Sequence, residues 1–179
     1  MNRLRSLPVA LAGVALLAAP PAAAQDRCLS STDAESIALV AMPEIIRDAG
    51  RVCAALPASS LLRKSDSALL QKYDREADRA WPAARTAIAK LSDPAVELLL
   101  LSDYARPMLT SLFAPQITGR IQPGDCGTLD RLVTLLEPLP ARNTAGIVVA
   151  TLQYLKAEKN KGKRDAIPDL PVCAAATAP

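Results

Sequence analysis

The chain has 179 residues, a formal net charge of +3 and no histidine. Without histidine there can be no Ser-His-Asp triad, no Cys-His pair, no histidine-ligated zinc and no imidazole proton shuttle. Only 3% of the residues are aromatic, which leaves few side chains to stack on bases, and no GxGxxG or GxxxxGK(S/T) motif is present. We therefore expect no nucleic-acid binding, no nucleotide-dependent chemistry and no cofactor.

Residues 1–24 have the three regions of a cleavable secretory signal peptide. Arg3 and Arg5 supply positive charge, residues 7–19 form an apolar segment, and alanines at 22–24 provide the small residues that signal peptidase requires. The apolar segment is shorter than the roughly 20 residues that span a bilayer, which argues against an uncleaved anchor. We expect cleavage before Gln25, no remaining transmembrane segment, and export to the periplasm or medium of a bacterium. Loss of the two arginines also brings the mature chain close to neutrality.

Apolar residues recur at helical spacing along the rest of the chain, and alternating strand-like runs are absent. The first predicted helix has Thr32 as its N-cap and Glu35 as the capping-box partner. Its apolar face comprises Ile37, Ala41, Ile45, Ala49, Val52 and Leu56. The second begins near residues 66–67, and its apolar face comprises Leu69, Leu70, Tyr73, Ala77, Trp81, Ala84, Ile88 and Leu91. The spacing stays in phase across Pro43 and Pro82, so both helices are expected to bend there and continue.

The third predicted helix begins after Asp93, with Pro94 at its first position and Pro107 in its interior. Its four leucines at 98–101 are apolar on every side, which predicts the central, most buried helix. After a turn-rich connection at 116–127, a shorter helix has an apolar face of Leu129, Leu132, Val133 and Leu136. The last, capped by Asn143, has a face of Ile147, Val148, Leu152 and Leu155. The pattern predicts an all-α bundle of about five helices over residues 25–165, followed by an extended arm over 166–179.

The four cysteines of an exported chain are expected to form two disulfides, and their spacing contains no CxxC motif. A continuous first helix separates Cys28 from Cys53 by more than about 25 Å, whereas bridged Cα atoms lie within about 7 Å. An up-down bundle instead brings Cys53 near Cys126 and lets the arm return Cys173 to Cys28. We favour these two pairs. If Pro43 folded the first helix back on itself, Cys28 would pair with Cys53.

Three prolines, Pro43, Pro82 and Pro107, lie inside predicted helices. Each removes one backbone hydrogen bond and frees the carbonyl group four residues earlier. In an antiparallel bundle the three positions lie at similar heights, so the bends are expected to form a layer around Trp81 and open a cleft there. The competing hypothesis is that the bends only curve the helices around a core.

Two carboxylates, Asp74 and Asp78, lie four residues apart on the second helix, with Glu76 between them. Such a pair can hold a cation or act in acid/base catalysis. Arg75 and Arg79 interleave with these acids, which is typical of a solvent-exposed face with mixed charge. We therefore predict no metal site here.

The one basic cluster of the mature chain lies near the end of the last helix and comprises Lys156, Lys159, Lys161, Lys163 and Arg164. Glu158 and Asp165 dilute its charge. A solvated helix end is the simplest interpretation, and contact with an anionic envelope surface is the alternative.

The sequence therefore predicts an exported, disulfide-stabilised helical domain that binds a partner protein or a small apolar ligand without catalysis. Two other functions remain open, namely a hydrolase that uses carboxylates only and a structural component of the envelope. Carboxylates that converge in a concave pocket would favour the enzyme.

Overall fold

The computed structural model describes residues 28–161 and 171–173, and within these ranges it is helical with no strand. The predicted signal peptide at 1–24, Lys163, Arg164 and most of the predicted arm lie outside the described residues. The α-helices are α1 (Ser31–Val52), α2 (Ala68–Leu91), α3 (Pro94–Leu100), α4 (Ala105–Thr118), α5 (Cys126–Leu136) and α6 (Ala141–Asn160). Two short 3₁₀ helices, Leu61–Arg63 and Pro123–Asp125, precede α2 and α5. The predicted all-α bundle is confirmed, with α3 and α4 in place of one long third helix.

Helix α1 begins with a capping box two residues earlier than predicted. The Ser30 hydroxyl accepts a hydrogen bond from the Asp33 amide at 3.1 Å, and the Asp33 carboxylate accepts one from the Ser30 amide at 3.3 Å. The prediction of Thr32 and Glu35 is therefore wrong. Ser30 and Asp33 have the same three-residue spacing, and aspartate offers the same carboxylate acceptor as glutamate.

Helices α1 and α2 form an antiparallel pair at the centre of the molecule. Lys90, near the end of α2, bonds to Asp33 at the start of α1, and Arg47 in α1 bonds to Asp74 in α2. Helix α6 packs against both helices. The main core cluster comprises Leu39, Val40, Ile46, Ala49, Leu62, Leu69, Leu70, Tyr73, Ala80, Ala84, Ala141 and Ala145. Folding therefore buries the first two helices against each other and against the last.

The predicted apolar face is correct for α2 but largely wrong for α1. In α2 the buried members are Leu69, Leu70, Tyr73, Ala77 and Ala84, and the other three predicted residues are half-buried. In α1 the buried residues are Ala34, Leu39, Val40, Pro43, Ile46 and Ala49, of which only Ala49 was predicted. Helix α1 contacts α2, α4 and α6, so its burial is not confined to one stripe.

The prediction of a central, buried third helix is wrong. Helix α3 ends at Leu100, the only one of the four leucines that is buried, whereas Leu98 is 75% exposed. Its main contacts are with α2 and α4. The central helix is α1.

The first residues of α4 and α6, and the buried residues of α6, differ from the prediction. Helix α4 continues through Pro115, and Pro107 lies in its first turn, where a missing backbone donor costs little. Helix α6 begins directly after Pro140, so that Asn143 is not its cap. The buried residues of α6 are Ala141, Thr144, Ala145, Val149 and Glu158, whereas the predicted Ile147 is exposed.

Two disulfides close the bundle. Cys28 pairs with Cys173 at a Cα separation of 5.0 Å, and Cys53 pairs with Cys126 at 5.5 Å. This is the pairing that a continuous first helix favours, and Pro43 lies inside that continuous helix.

The described part of the arm is held beside the start of α1. The Leu29 amide donates to the Pro171 carbonyl at 2.6 Å, and the Cys173 amide donates to the Leu29 carbonyl at 2.9 Å. Val172 is buried in a second core cluster with Leu29, Ala34, Ala87 and Val149. The arm therefore contributes both backbone pairing and an apolar side chain.

Candidate functional site

Large apolar side chains are exposed along α3, the turn that follows it and α4. The fractional exposure is 75% for both Leu98 and Tyr104, and Leu112 is 64% exposed. The α3–α4 apolar surface consists of Leu98, Leu99, Leu101, Tyr104, Met108, Leu112, Phe113 and Ile117. Eight side chains exposed to this degree present on the order of 1,000 Å², whereas the largest apolar patch of a typical monomer is about 300–600 Å². Exposed apolar area of this size is typical of surfaces that contact other molecules.

The outward position of these side chains follows from which residues of α4 face inward. Helix α4 packs against α1, and its buried residues are Ala105, Ala114 and Thr118, all of them small. Small side chains permit a close approach of the two helices, whereas the large side chains of Met108, Leu112 and Phe113 stay exposed. Arg106 is the only charged residue of α4, and it bonds to Asp78 of α2. The exposed face of α4 therefore has no unpaired charged side chain that would favour its contact with water.

A groove of about 500 Å³ lies beside this surface, between α2 and the turn that joins α3 to α4. Its lining residues are Trp81, Arg85, Leu100, Leu101, Ser102, Asp103, Arg106, Pro107 and Thr110. Trp81 and Arg85 lie one helical turn apart on α2, and Trp81 is the only tryptophan of the chain. The lining combines apolar side chains with charges of both signs, so the groove can accept a small ligand with an apolar part.

The structure brings together only two of the four residues predicted to form the cleft. Trp81 and Pro107 both line the groove. Pro43 is buried inside α1, and Pro82 is exposed on α2 next to Trp81. The groove is formed where α3 ends and α4 begins. The predicted layer of three mid-helix prolines is not formed, because Pro107 lies in the first turn of α4.

The carboxylates of α2 do not converge. Asp74 accepts both of its hydrogen bonds from Arg47 at 2.8 Å, Glu76 accepts one from Arg79 at 2.5 Å, and Asp78 bonds to Arg106. Each acid is thus neutralised by a separate guanidinium group. Across the part of the chain that the structure describes, no cluster of three or more His, Cys, Asp and Glu residues can hold a metal ion.

A second groove, of about 320 Å³, lies at the end of α1 and is lined by three arginines, Arg47, Arg51 and Arg63. Arg47 bonds to Asp74, Arg51 bonds to Glu44 at 2.9 Å, and Arg63 donates to the Leu56 carbonyl at 2.9 Å. Two of the three arginines are already paired with carboxylates, so this groove is the weaker candidate.

The basic cluster is partly used within the molecule. Lys156 donates to the Val172 carbonyl at 2.8 Å, and Lys161 donates to the Glu158 carboxylate at 2.9 Å. The hydrogen bond to Glu158 raises the pKa of Lys161. Lys159 is exposed. In 28–161 and 171–173, no helix is long and apolar enough to cross a membrane.

The α3–α4 apolar surface is the feature that sequence reasoning missed. The sequence signal for it is weak, because the apolar residues of α4 are distributed around the helix and do not form one stripe. Helical spacing therefore does not identify which residues of α4 face the core.

No family model, curated protein or solved structure that was compared with the chain matches it.

Proposed function

We propose that this protein is an exported, disulfide-stabilised binding protein that contacts a partner protein through the α3–α4 apolar surface, without catalysis. The observation that carries the proposal is the size of that surface, whose area is on the order of 1,000 Å² and equals or exceeds one side of a standard protein interface of about 800 Å². A folded chain gains no stability from leaving such side chains in water. A partner that covers them removes this area from solvent.

Export is supported by the predicted leader and by the two disulfides together. Disulfides persist in oxidising compartments such as the bacterial periplasm and are rare in the cytosol. We expect the protein recovered from a bacterial host to begin at Gln25 and to contain no free thiol. Intact mass and non-reducing peptide mapping of the periplasmic and medium fractions measure both properties. A retained leader or a free cysteine would contradict the proposal.

A non-catalytic role is supported by the positions of the carboxylates. Asp74, Glu76 and Asp78 are paired with arginines. Asp103 is the one carboxylate among the residues that line the groove beside Trp81. Hydrolysis by carboxylates alone uses two such groups on either side of the substrate bond. The groove therefore lacks the arrangement that the alternative enzyme requires.

The binding function is tested with a photoreactive amino acid at Leu112, introduced into the exported protein. We expect a discrete cross-linked protein product that disappears when Met108→Glu is added, because the charge disrupts an apolar contact. The matched control is the same amino acid at Ala150, an exposed position on α6. Equal products from both positions, or none from either, would contradict a role for the surface.

A second candidate function, binding of a small apolar ligand, is favoured by the groove beside Trp81. Because Trp81 is the only tryptophan, its fluorescence reports on this site alone. We expect 1-octanol to cause a saturable change in emission that Ser102→Phe abolishes by filling the groove. Ser111→Phe on the exposed side of α4, outside the groove lining, is the control. An emission that responds linearly, or equally in both variants, would exclude this function.

A further inference from the structure

We propose that the partner of the α3–α4 apolar surface is a second copy of this chain, which makes the protein a symmetric dimer. This inference rests on the binding function proposed for that surface. Area, charge and symmetry all favour a second copy as the molecule that covers the surface.

The exposed area matches what a stable dimer buries. Standard interfaces bury about 800 Å² on each partner, and the surface presents on the order of 1,000 Å². Its members include two aromatic side chains, Tyr104 and Phe113, together with Met108. Aromatic residues and methionine are enriched at protein interfaces. Two copies can therefore cover each other without any further element.

The distribution of charge suits a contact between identical surfaces. Between Leu98 and Ile117 the only charged residues are Asp103 and Arg106, and the charge of Arg106 is already neutralised by Asp78. Pairing two copies face to face therefore brings few like charges together. A surface with so little positive charge is unsuited to an anionic membrane, which attracts clusters of lysine and arginine.

Two opposite charges lie beside the surface. Arg85 and Asp103 both line the adjacent groove, and neither takes part in the ion pairs of the described residues. In a two-fold contact, residue i of one copy meets residue j of the other and the reverse also holds. If the contact brings Arg85 of one copy beside Asp103 of the other, the ion pair forms twice, once on each side of the axis.

Symmetry also indicates where the axis lies. Tyr104, Met108 and Leu112 follow one another at steps of four residues, and the Met108 amide donates to the Tyr104 carbonyl, which places them in one stripe about 12 Å long. Met108 lies at the middle of the surface, which extends from Leu98 to Ile117. With two α4 helices antiparallel across a two-fold axis at Met108, Tyr104 of one copy faces Leu112 of the other. An unbranched methionine adapts readily to contact with its own copy.

Sedimentation equilibrium of the oxidised mature protein, over a range of micromolar concentrations, tests the proposal. We expect twice the chain mass for the wild type and a return to the single chain mass for Met108→Glu. Ile147→Glu is the matched control, because Ile147 is 49% exposed on α6 and lies outside the surface. It should remain dimeric. Leu112→Ser provides a milder second variant, and the melting temperature of each protein verifies that it is folded.

A wild type that stays monomeric throughout, or a dimer that Met108→Glu and Leu112→Ser leave intact, would overturn the inference. So would a monomer that co-sediments with phosphatidylcholine vesicles through these residues, since a lipid surface would then be the occupant. The binding function is separable from the dimer. If the wild type is monomeric but the cross-linker at Leu112 still captures a different protein in a Met108-dependent way, only the inference fails.

Discussion

At the scale of single residues, Asp33 joins two elements that are far apart in the sequence. Its carboxylate completes the capping box of α1 with Ser30 and accepts hydrogen bonds from Lys90 of α2 at 2.9 Å. These bonds, that from Lys90 above all, lower the pKa of Asp33 below its ordinary value of 3.8. The ionised carboxylate is therefore favoured in the folded protein.

We predict that Asp33→Asn lowers the free energy of unfolding by roughly 0.3–1 kcal/mol at pH 7, because the variant loses a negative charge in the first turn of α1 and the ion pair with Lys90. Because the pKa of Asp33 is lowered on folding, its stabilisation is present above the unfolded value and is lost as the pH falls through the folded pKa. Urea unfolding at pH 7 and at pH 3 measures the effect, and the difference between wild type and variant should shrink at the lower pH. Asp66→Asn is the control. A difference that does not change with pH would show that the charge of Asp33 contributes nothing.

At the scale of elements, the end of α1 approaches the first 3₁₀ helix closely at Gly50. A Cβ atom at this position would lie 2.1 Å from the Leu62 carbonyl oxygen, a backbone atom that cannot rotate away. The close approach buries Leu62 in the main core. Glycine is therefore required by the neighbouring backbone.

We predict that Gly50→Ala lowers the free energy of unfolding by about 1–3 kcal/mol, since the overlap outweighs the better helix propensity of alanine. Gly146 in α6 is the matched comparison, because a Cβ there would lie 3.7 Å from a Glu35 carboxylate oxygen, an ordinary contact. Gly146→Ala should stabilise by roughly 0.5–1 kcal/mol. Thermal unfolding of both variants provides the measurement, and equal shifts in the same direction would contradict the interpretation.

At the scale of the whole molecule, the two disulfides join segments that are 145 and 73 residues apart. The Cys28–Cys173 disulfide holds residues 171–173 against the start of α1, and Cys53–Cys126 ties the end of α1 to α5. Helix α5 contacts mainly the two 3₁₀ helices. Its attachment to the bundle therefore depends strongly on Cys53–Cys126.

We predict that replacing either pair by serine costs roughly 2–5 kcal/mol of stability. Loss of Cys28–Cys173 should cost about 0.6 kcal/mol more, because doubling a loop adds about that much closure entropy. Urea unfolding measures the two losses. Hydrogen exchange separates their locations: Cys53→Ser with Cys126→Ser should speed exchange in α5 selectively, whereas Cys28→Ser with Cys173→Ser should leave α5 protected. Exchange that rises uniformly in both variants would contradict this division.

The amino-acid sequence by itself determined the helical class and the position and buried face of α2, and it favoured the observed pairing of the cysteines over that of Cys28 with Cys53. These features depend on local spacing and on the length of a continuous helix, both of which are properties of consecutive residues. The phase of Leu69, Tyr73, Ala77 and Ala84 is conspicuous because α2 buries a single, well-defined stripe.

Only the tertiary structure decided which apolar residues are buried. This holds for helices with several neighbours, such as α1, and for helices with few, such as α3. Helix α1 is covered by three neighbours, so its burial exceeds one stripe, whereas of the leucines at 98–101 only Leu100 is buried. An apolar pattern shows that burial of a face is favourable. It does not record whether the same chain or another molecule covers that face, because this depends on contacts between residues that are distant in the sequence.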